Sequence, residues 1–279
     1  MYFFKNNGAV RGCSRKRQPG TQQIKWLRKE LERARKENVR VYIIGHIAPL
    51  QKNYFRSCFY EYGKLALKYG DVIVGQLFGH NNLDHFSLIS KDDLRKAKFL
   101  GSQEAGNTTR NYRQKSLSQG MEGLSPKEIL SAHSTTTSEI SASLIDYIDD
   151  LFDMYKNIPP REDDGDEDIV SREYTVINVS PSVVPVFNPT LRVFNYSLGN
   201  GSEYPFGVPL SYSQFWLNAT KYNLQESEEP AYELEYSTDR DYQLPDLKIA
   251  SWLQLGRRLV KEEKIRRRYL KYLFVHTRD

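Results

Sequence analysis

The sequence is poor in cysteine, in histidine and in long apolar runs. Two cysteines in 279 residues, Cys13 and Cys58, permit at most one intramolecular bridge, which excludes a disulfide-stapled scaffold. A single disulfide and two buried thiols are both open. No stretch approaches the roughly 18 apolar residues that span a bilayer. The opening MYFFKNN lacks the basic flank and longer apolar core of a secretory signal. It reads instead as a β-strand lying inside a fold. Charge of one sign is also scarce in excess: 40 Lys and Arg against 35 Asp and Glu leave a net charge of +5, too modest to mark a nucleic-acid binder.

What is present is enough apolar material for one sizeable core, with 39% hydrophobic and 13% aromatic residues. Pro19-Gly20 opens a helix from Thr21 to about Asn38, with Ile24, Leu27, Leu31 and Ala34 on one face. The apolar run Val39 to Ile44 follows as a strand. Asn53 to Tyr69 reads as a second covering helix, and Val72 to Phe78 as the next strand. Buried strands alternating with helices predict an α/β layered sandwich. Residues 95 to 135 are polar and lack periodic apolar content, and Arg161 to Asp168 reads REDDGDED, so both are expected to be exposed. Between them Ile140, Leu144, Ile148, Leu151 and Tyr155 form one helical stripe, and Asp146, Asp149, Asp150 and Asp153 are its solvated flank. The expected divisions are a core half at 1–94, an insertion carrying one amphipathic helix at 95–170, and a C-terminal region at 171–279 ending in a basic helix.

Both apolar strands end on a Gly-His pair, Gly45-His46 and Gly79-His80. A strand held by its sheet, then a glycine that frees the backbone and an imidazole at the exit, is how layered α/β folds present metal ligands at a sheet edge. Alone, either histidine reads more readily as a loop or core residue. Two in the same context point to a shared site, and predict that His46 and His80 approach each other at one end of the sheet.

The longer words VYIIGHIAP from Val41 and DVIVGQLFGHNNLDHF from Asp71 resemble the calcineurin-like metallophosphatases, in the branch of acid sphingomyelinase-like phosphodiesterases and fungal endopolyphosphatases. GHNN stands where the superfamily has Gly-His-x-His, and the Asp84-His85-Phe86 that follows is similar to the endopolyphosphatases. YFFKNNGAV, PGTQQIKWLRKEL, the stretch Tyr174 to Tyr196 and the stretch Tyr232 to Leu247 extend the likeness. The resemblance implies an α-β-β-α metallophosphatase sandwich, here incomplete in its N-terminal half. It also implies a pair of divalent cations (Mn, Mg, Zn, Co or Fe) that activate water for in-line attack on phosphorus. His46 and His80 would ligate one cation. Asn82 stands where the other gains a histidine, and its amide oxygen favours a hard cation such as Mn or Mg. His85 is expected beside the site, orienting Asn82 or a phosphate.

The family's Asp-x-His, Gly-Asp and Gly-Asn-His motifs should precede His46, and nothing between Met1 and Arg40 matches them. Gly70-Asp71 reads as a turn and strand entry. The implied activity is cleavage of internal phosphoanhydride bonds of inorganic polyphosphate, with the chain inactive alone. A sphingomyelinase-like phosphodiesterase and a non-catalytic phosphate-binding remnant are the other readings. Arg257, Lys261, Lys264, Arg268 and Lys271 recur at helical spacing, a stripe that would attract a polyanion or merely face solvent. Sequons at Asn107, Asn195, Asn200 and Asn218 lean toward a lumenal surface, and the resemblance implies the vacuole, with any membrane anchor lying upstream. No nucleic-acid partner is expected.

Overall fold

The computed structural model describes residues 2–104, 142–160, 167–184, 187–200, 203–224 and 229–277. The first helix runs Pro19–Lys36, with proline in its first turn, where the missing N–H costs nothing, and with Ile24, Leu31 and Ala34 buried. It leads into β1 (Val41–Ile47), which runs through Gly45-His46 rather than ending there. The helix Arg56–Lys68 follows, burying Cys58, Phe59, Tyr62, Leu65 and Ala66, and returns the chain to β2 (Ile73–Gly79). β3 (His85–Ser90) and the helix Lys91–Glu104 come next, so residues 95–104 continue a helix and not a loop. Ser90 and Asp93 cap each other at that helix's start, the Ser90 backbone N–H donating to the Asp93 carboxylate and the Asp93 N–H to Ser90 Oγ.

The predicted stripe forms the helix Ala142–Lys156, burying Ile148, Leu151 and Tyr155. The rest of the expected exposed insertion, including Asn107, lies largely outside the described residues. The chain then returns through the short helix Glu167–Glu173 to β4 (Tyr174–Val179). The first sheet has the order β1-β2-β4-β3, with β1, β2 and β4 parallel and β3 antiparallel to β4. One face, through Ile73, Phe78, Ile177 and Val179, packs against the first two helices.

A second sheet is antiparallel: β5 (Thr190–Tyr196), β6 (Pro209–Trp216) and β7 (Glu233–Ser237). Its inner side chains Tyr212 and Tyr236 share a core with Phe86, Leu88 and Val176 of the first sheet, and with Trp252, Leu253, Leu255, Leu259, Tyr269 and Leu273. Each such fully buried side chain contributes roughly 1.5–3 kcal/mol. The predicted basic helix is two helices, Ile249–Lys261 and Glu263–Leu273, broken at Glu262 in an extended conformation. Arg266 is fully buried and donates to the Leu259 and Val260 carbonyls left over at the first helix's end. The molecule is thus mixed α/β with helices and two sheets, as a metallophosphatase-like sandwich requires.

Cys13 and Cys58 form a disulfide, which settles the alternative left open by the sequence. It ties the N-terminal segment to the Arg56–Lys68 helix. The same segment pairs with residues 53–55, the Lys5 N–H donating to the Asn53 carbonyl and the Phe55 N–H to the Phe3 carbonyl.

Candidate metal centre

β1 and β2 run parallel, so their C-terminal ends lie at one edge of the sheet, each with a histidine. In β1 the register slips: Ile44 pairs with Leu77 but Ile47 with Gly79, a bulge of one extra residue at Gly45-His46. Glycine is required there, because a Cβ at position 45 would come within 2.5 Å of the Phe78 ring. The bulge leaves His46 exposed at the sheet's rim. One residue beyond β2, His80 adopts φ +75°, and Asn82 adopts φ +59°. Left-handed backbone is uncommon outside glycine, most of all in alternation within one short turn, and such strain concentrates at functional sites.

The two imidazole rings lie 5.2 Å apart, nearly perpendicular, and the Phe4 ring meets the other side of His80 at the same separation. Two imidazoles on one cation, with metal–nitrogen bonds of about 2.1 Å, place their ring centres roughly 5 Å apart, so the spacing fits a shared ion. Burial, then the neighbouring His46 ring, lowers the His80 pKa. The shift favours the neutral ring, the form a metal takes. Among the described residues no third His, Cys, Asp or Glu joins the pair. Asn82 is the remaining candidate donor in the turn. The residues present therefore fit part of a cation's shell.

His85, expected to face Asn82 or a phosphate, is buried and turned away. Its Nδ1 lies 3.0 Å from the Leu83 carbonyl, which can only accept, so Nδ1 carries the proton. The bare Nε2 accepts from the Tyr147 hydroxyl at 2.6 Å. Burial above all pulls the His85 pKa down to about 4, with nearby Arg192 adding to the effect. Burial likewise pushes the Tyr147 phenol well up.

Asp84 was not singled out in the sequence. It accepts from Arg192 at 2.6 Å and from the Tyr236 hydroxyl at 2.7 Å, while its backbone N–H donates to the Leu273 carbonyl. Arg192 also donates to Gln214 at 2.7 Å and lies over the Tyr212 ring. The ion pair is buried at both ends, with side-chain exposures of 5% and 3%. Such a pair is strongly destabilising to break from one side. It fastens the turn after His80 to the second sheet. The word LDHF was the available signal for Asp84; nothing in TLRVFNY marks Arg192 as inward-facing.

Lys261 and Lys264 are exposed, but they stand on either side of the break at Glu262. Arg268 donates to the Asp241 carbonyl, Arg257 to the Pro159 carbonyl, Arg267 pairs with Glu263 and Arg258 with Glu262. The charges therefore do not form one continuous stripe. Asp71 pairs with Arg35 at the turn before β2, in keeping with a structural part for Gly70-Asp71. Asn195 and Asn200 are exposed, and Asn218 is partly buried at the start of the helix Ala219–Leu224.

A sequence profile of the acid sphingomyelin phosphodiesterase C-terminal region matches residues 170–279. Proteins named endopolyphosphatase are 32% identical in Yarrowia lipolytica, over 73% of this chain and 26% of theirs, and 30% identical in Cryptococcus neoformans, over 73% and 28%. The endopolyphosphatase of Saccharomyces cerevisiae is 24% identical over 86% of this chain and 40% of its own length. The chain thus spans about a quarter to two fifths of these relatives. These relatives are phosphohydrolases by name. By its sequence, the chain is related to the fungal endopolyphosphatases, and over residues 170–279 to the acid sphingomyelin phosphodiesterase C-terminal region.

Proposed function

We propose that this chain supplies part of the centre of a metal-dependent endopolyphosphatase, which cleaves internal phosphoanhydride bonds of inorganic polyphosphate. The observation that carries the reading is the approach of His46 and His80 to 5.2 Å from adjacent parallel strands, in a chain whose relatives bear that name. A bound divalent cation would neutralise phosphoryl charge and acidify a water molecule. The chain's own residues would do the rest. His46 and His80 would hold the cation through ring nitrogens, Asn82 would offer an amide oxygen, and Phe4 packs against the His80 ring. Mn or Mg suits the amide, and imidazole also accepts Zn, Co or Fe.

Two imidazoles and one amide are too few to hold a pair of cations, which would repel without a shared carboxylate between them. The chain by itself is therefore expected to turn over no polyphosphate, the missing ligands coming from sequence outside it. Lys261 and Lys264 would attract the outer reaches of a polyanion. The disulfide and the exposed Asn195 and Asn200 sequons suit an oxidising, glycosylating compartment such as the vacuole lumen. No helix among the described residues is long and apolar enough to cross a membrane.

The test starts by translating upstream of the Met1 codon for Asp-x-His, Gly-Asp and Gly-Asn-His in frame. The longest product is then assayed on long-chain polyphosphate with Mn²⁺. Chain shortening that falls at least 100-fold in His80→Ala supports the reading. Equal turnover in that variant would refute it, and faster cleavage of a small phosphodiester would favour the sphingomyelinase-like alternative that the C-terminal match keeps in view.

A further inference from the structure

We infer that Tyr147, on the Ala142–Lys156 helix, is a positioning residue for the turn that carries His80 and Asn82. The hydrogen bonds around it have a forced direction. The Leu83 carbonyl accepts from His85 Nδ1, which leaves Nε2 bare, so the Tyr147 O–H must donate to it at 2.6 Å. Asn81 Oδ1 meanwhile accepts from Asn53 at 3.3 Å.

The path from Tyr147 through His85 to the Leu83 carbonyl therefore holds the turn at residue 83, while Asn53 holds it at residue 81. Asn82, with its left-handed backbone, lies between the two holds. A turn with strained residues at 80 and 82 persists only when its surroundings over-determine it. Here the closing group is a single phenol from a helix that belongs to neither neighbouring strand. It is held in place by an edge-on contact with His85, ring centres 5.5 Å apart, and by Lys52 over its ring. Tyr147 touches neither imidazole of the candidate centre. It would act by fixing where His80 and the Asn82 amide point, the part that partners of metal ligands commonly play.

Its bearing on a cation rests on the function proposed above, but the placement of the turn does not, and one experiment separates the two. The full chain is labelled uniformly with ¹⁵N and compared with Tyr147→Phe, which keeps the ring and removes the hydroxyl. Without metal, Tyr147→Phe should move the His85 Nε2 resonance and also the His80 ring and Asn82 amide signals, while His46 stays put. Zn²⁺ titration of the wild type should perturb His46 and His80 together, and Tyr147→Phe should weaken that response about tenfold. If His80 and Asn82 are unmoved in Tyr147→Phe, the positioning inference is overturned. If those signals move but Zn²⁺ reaches neither ring in the wild type, the metal reading fails and the brace on the turn stands.

Discussion

Asp84 and His85 are neighbours in sequence and both buried, yet their surroundings treat charge in opposite ways. Asp84 accepts from Arg192 and Tyr236, donors that suit a carboxylate. His85 is kept neutral, since burial and nearby Arg192 oppose a second proton and both ring nitrogens are already committed. A histidine whose pKa falls from about 6.5 unfolded to about 4 folded stabilises the native state fully only above pH 6.5. That contribution, about 3 kcal/mol at most, is lost as pH falls from 6.5 to 4, where the unfolded chain binds the extra proton. Urea midpoints measured across this range should therefore drop less steeply for His85→Gln than for the wild type. Parallel slopes would show that His85 does not govern acid sensitivity.

At the level of elements, the N-terminal segment has little regular structure but carries Phe4, one wall of His80, and the Cys13–Cys58 bridge holds it down. Closing a loop with a sequence separation of 45 removes conformational freedom worth about 4 kcal/mol from the unfolded chain. Cys13→Ser should lower stability by 2–4 kcal/mol in chemical denaturation, roughly the usual cost of losing one bridge. It should also release the His80 ring from its contact with Phe4, seen as a change in its NMR shift. Unchanged stability would place the segment's hold elsewhere.

How far these elements could be read beforehand depended on the physics behind each. The first two helices and the strands around His46 and His80 carried clean apolar periods and were visible. The bulge was not, because the packing of Phe78 beneath Gly45 is a contact across strands. β5 hides its alternation by turning Arg192 inward and Leu191 and Val193 outward, a choice that makes sense only once Asp84 is opposite. The basic segment read as one helix, since composition does not announce that Arg266 will fold back onto the carbonyls at 259 and 260. The pairing of His46 with His80 was legible from strand endings alone. Tyr147 was only one position in an amphipathic pattern, and its bond to His85 lies 62 residues away in sequence.

Across the whole molecule, the turn from His80 to His85 is where the layers meet: it leaves β2, holds the second sheet through Asp84, and is gripped by the Ala142–Lys156 helix through Tyr147. At the opposite margin the first sheet is unguarded. β1 pairs only with β2 among the described residues, and Ile44 on its surface is 79% exposed. Tyr42 donates to the Gly207 carbonyl, a single bond from that strand to the loop before β6. A strand with open backbone groups and an uncovered isoleucine is a template for another strand. Light scattering of the purified chain should show association that grows with concentration and is reduced by Ile44→Lys, whereas a monomer at every concentration would contradict this. For anyone handling the chain on its own, shelf life should then be governed by how concentrated the stock is more than by how warm it becomes.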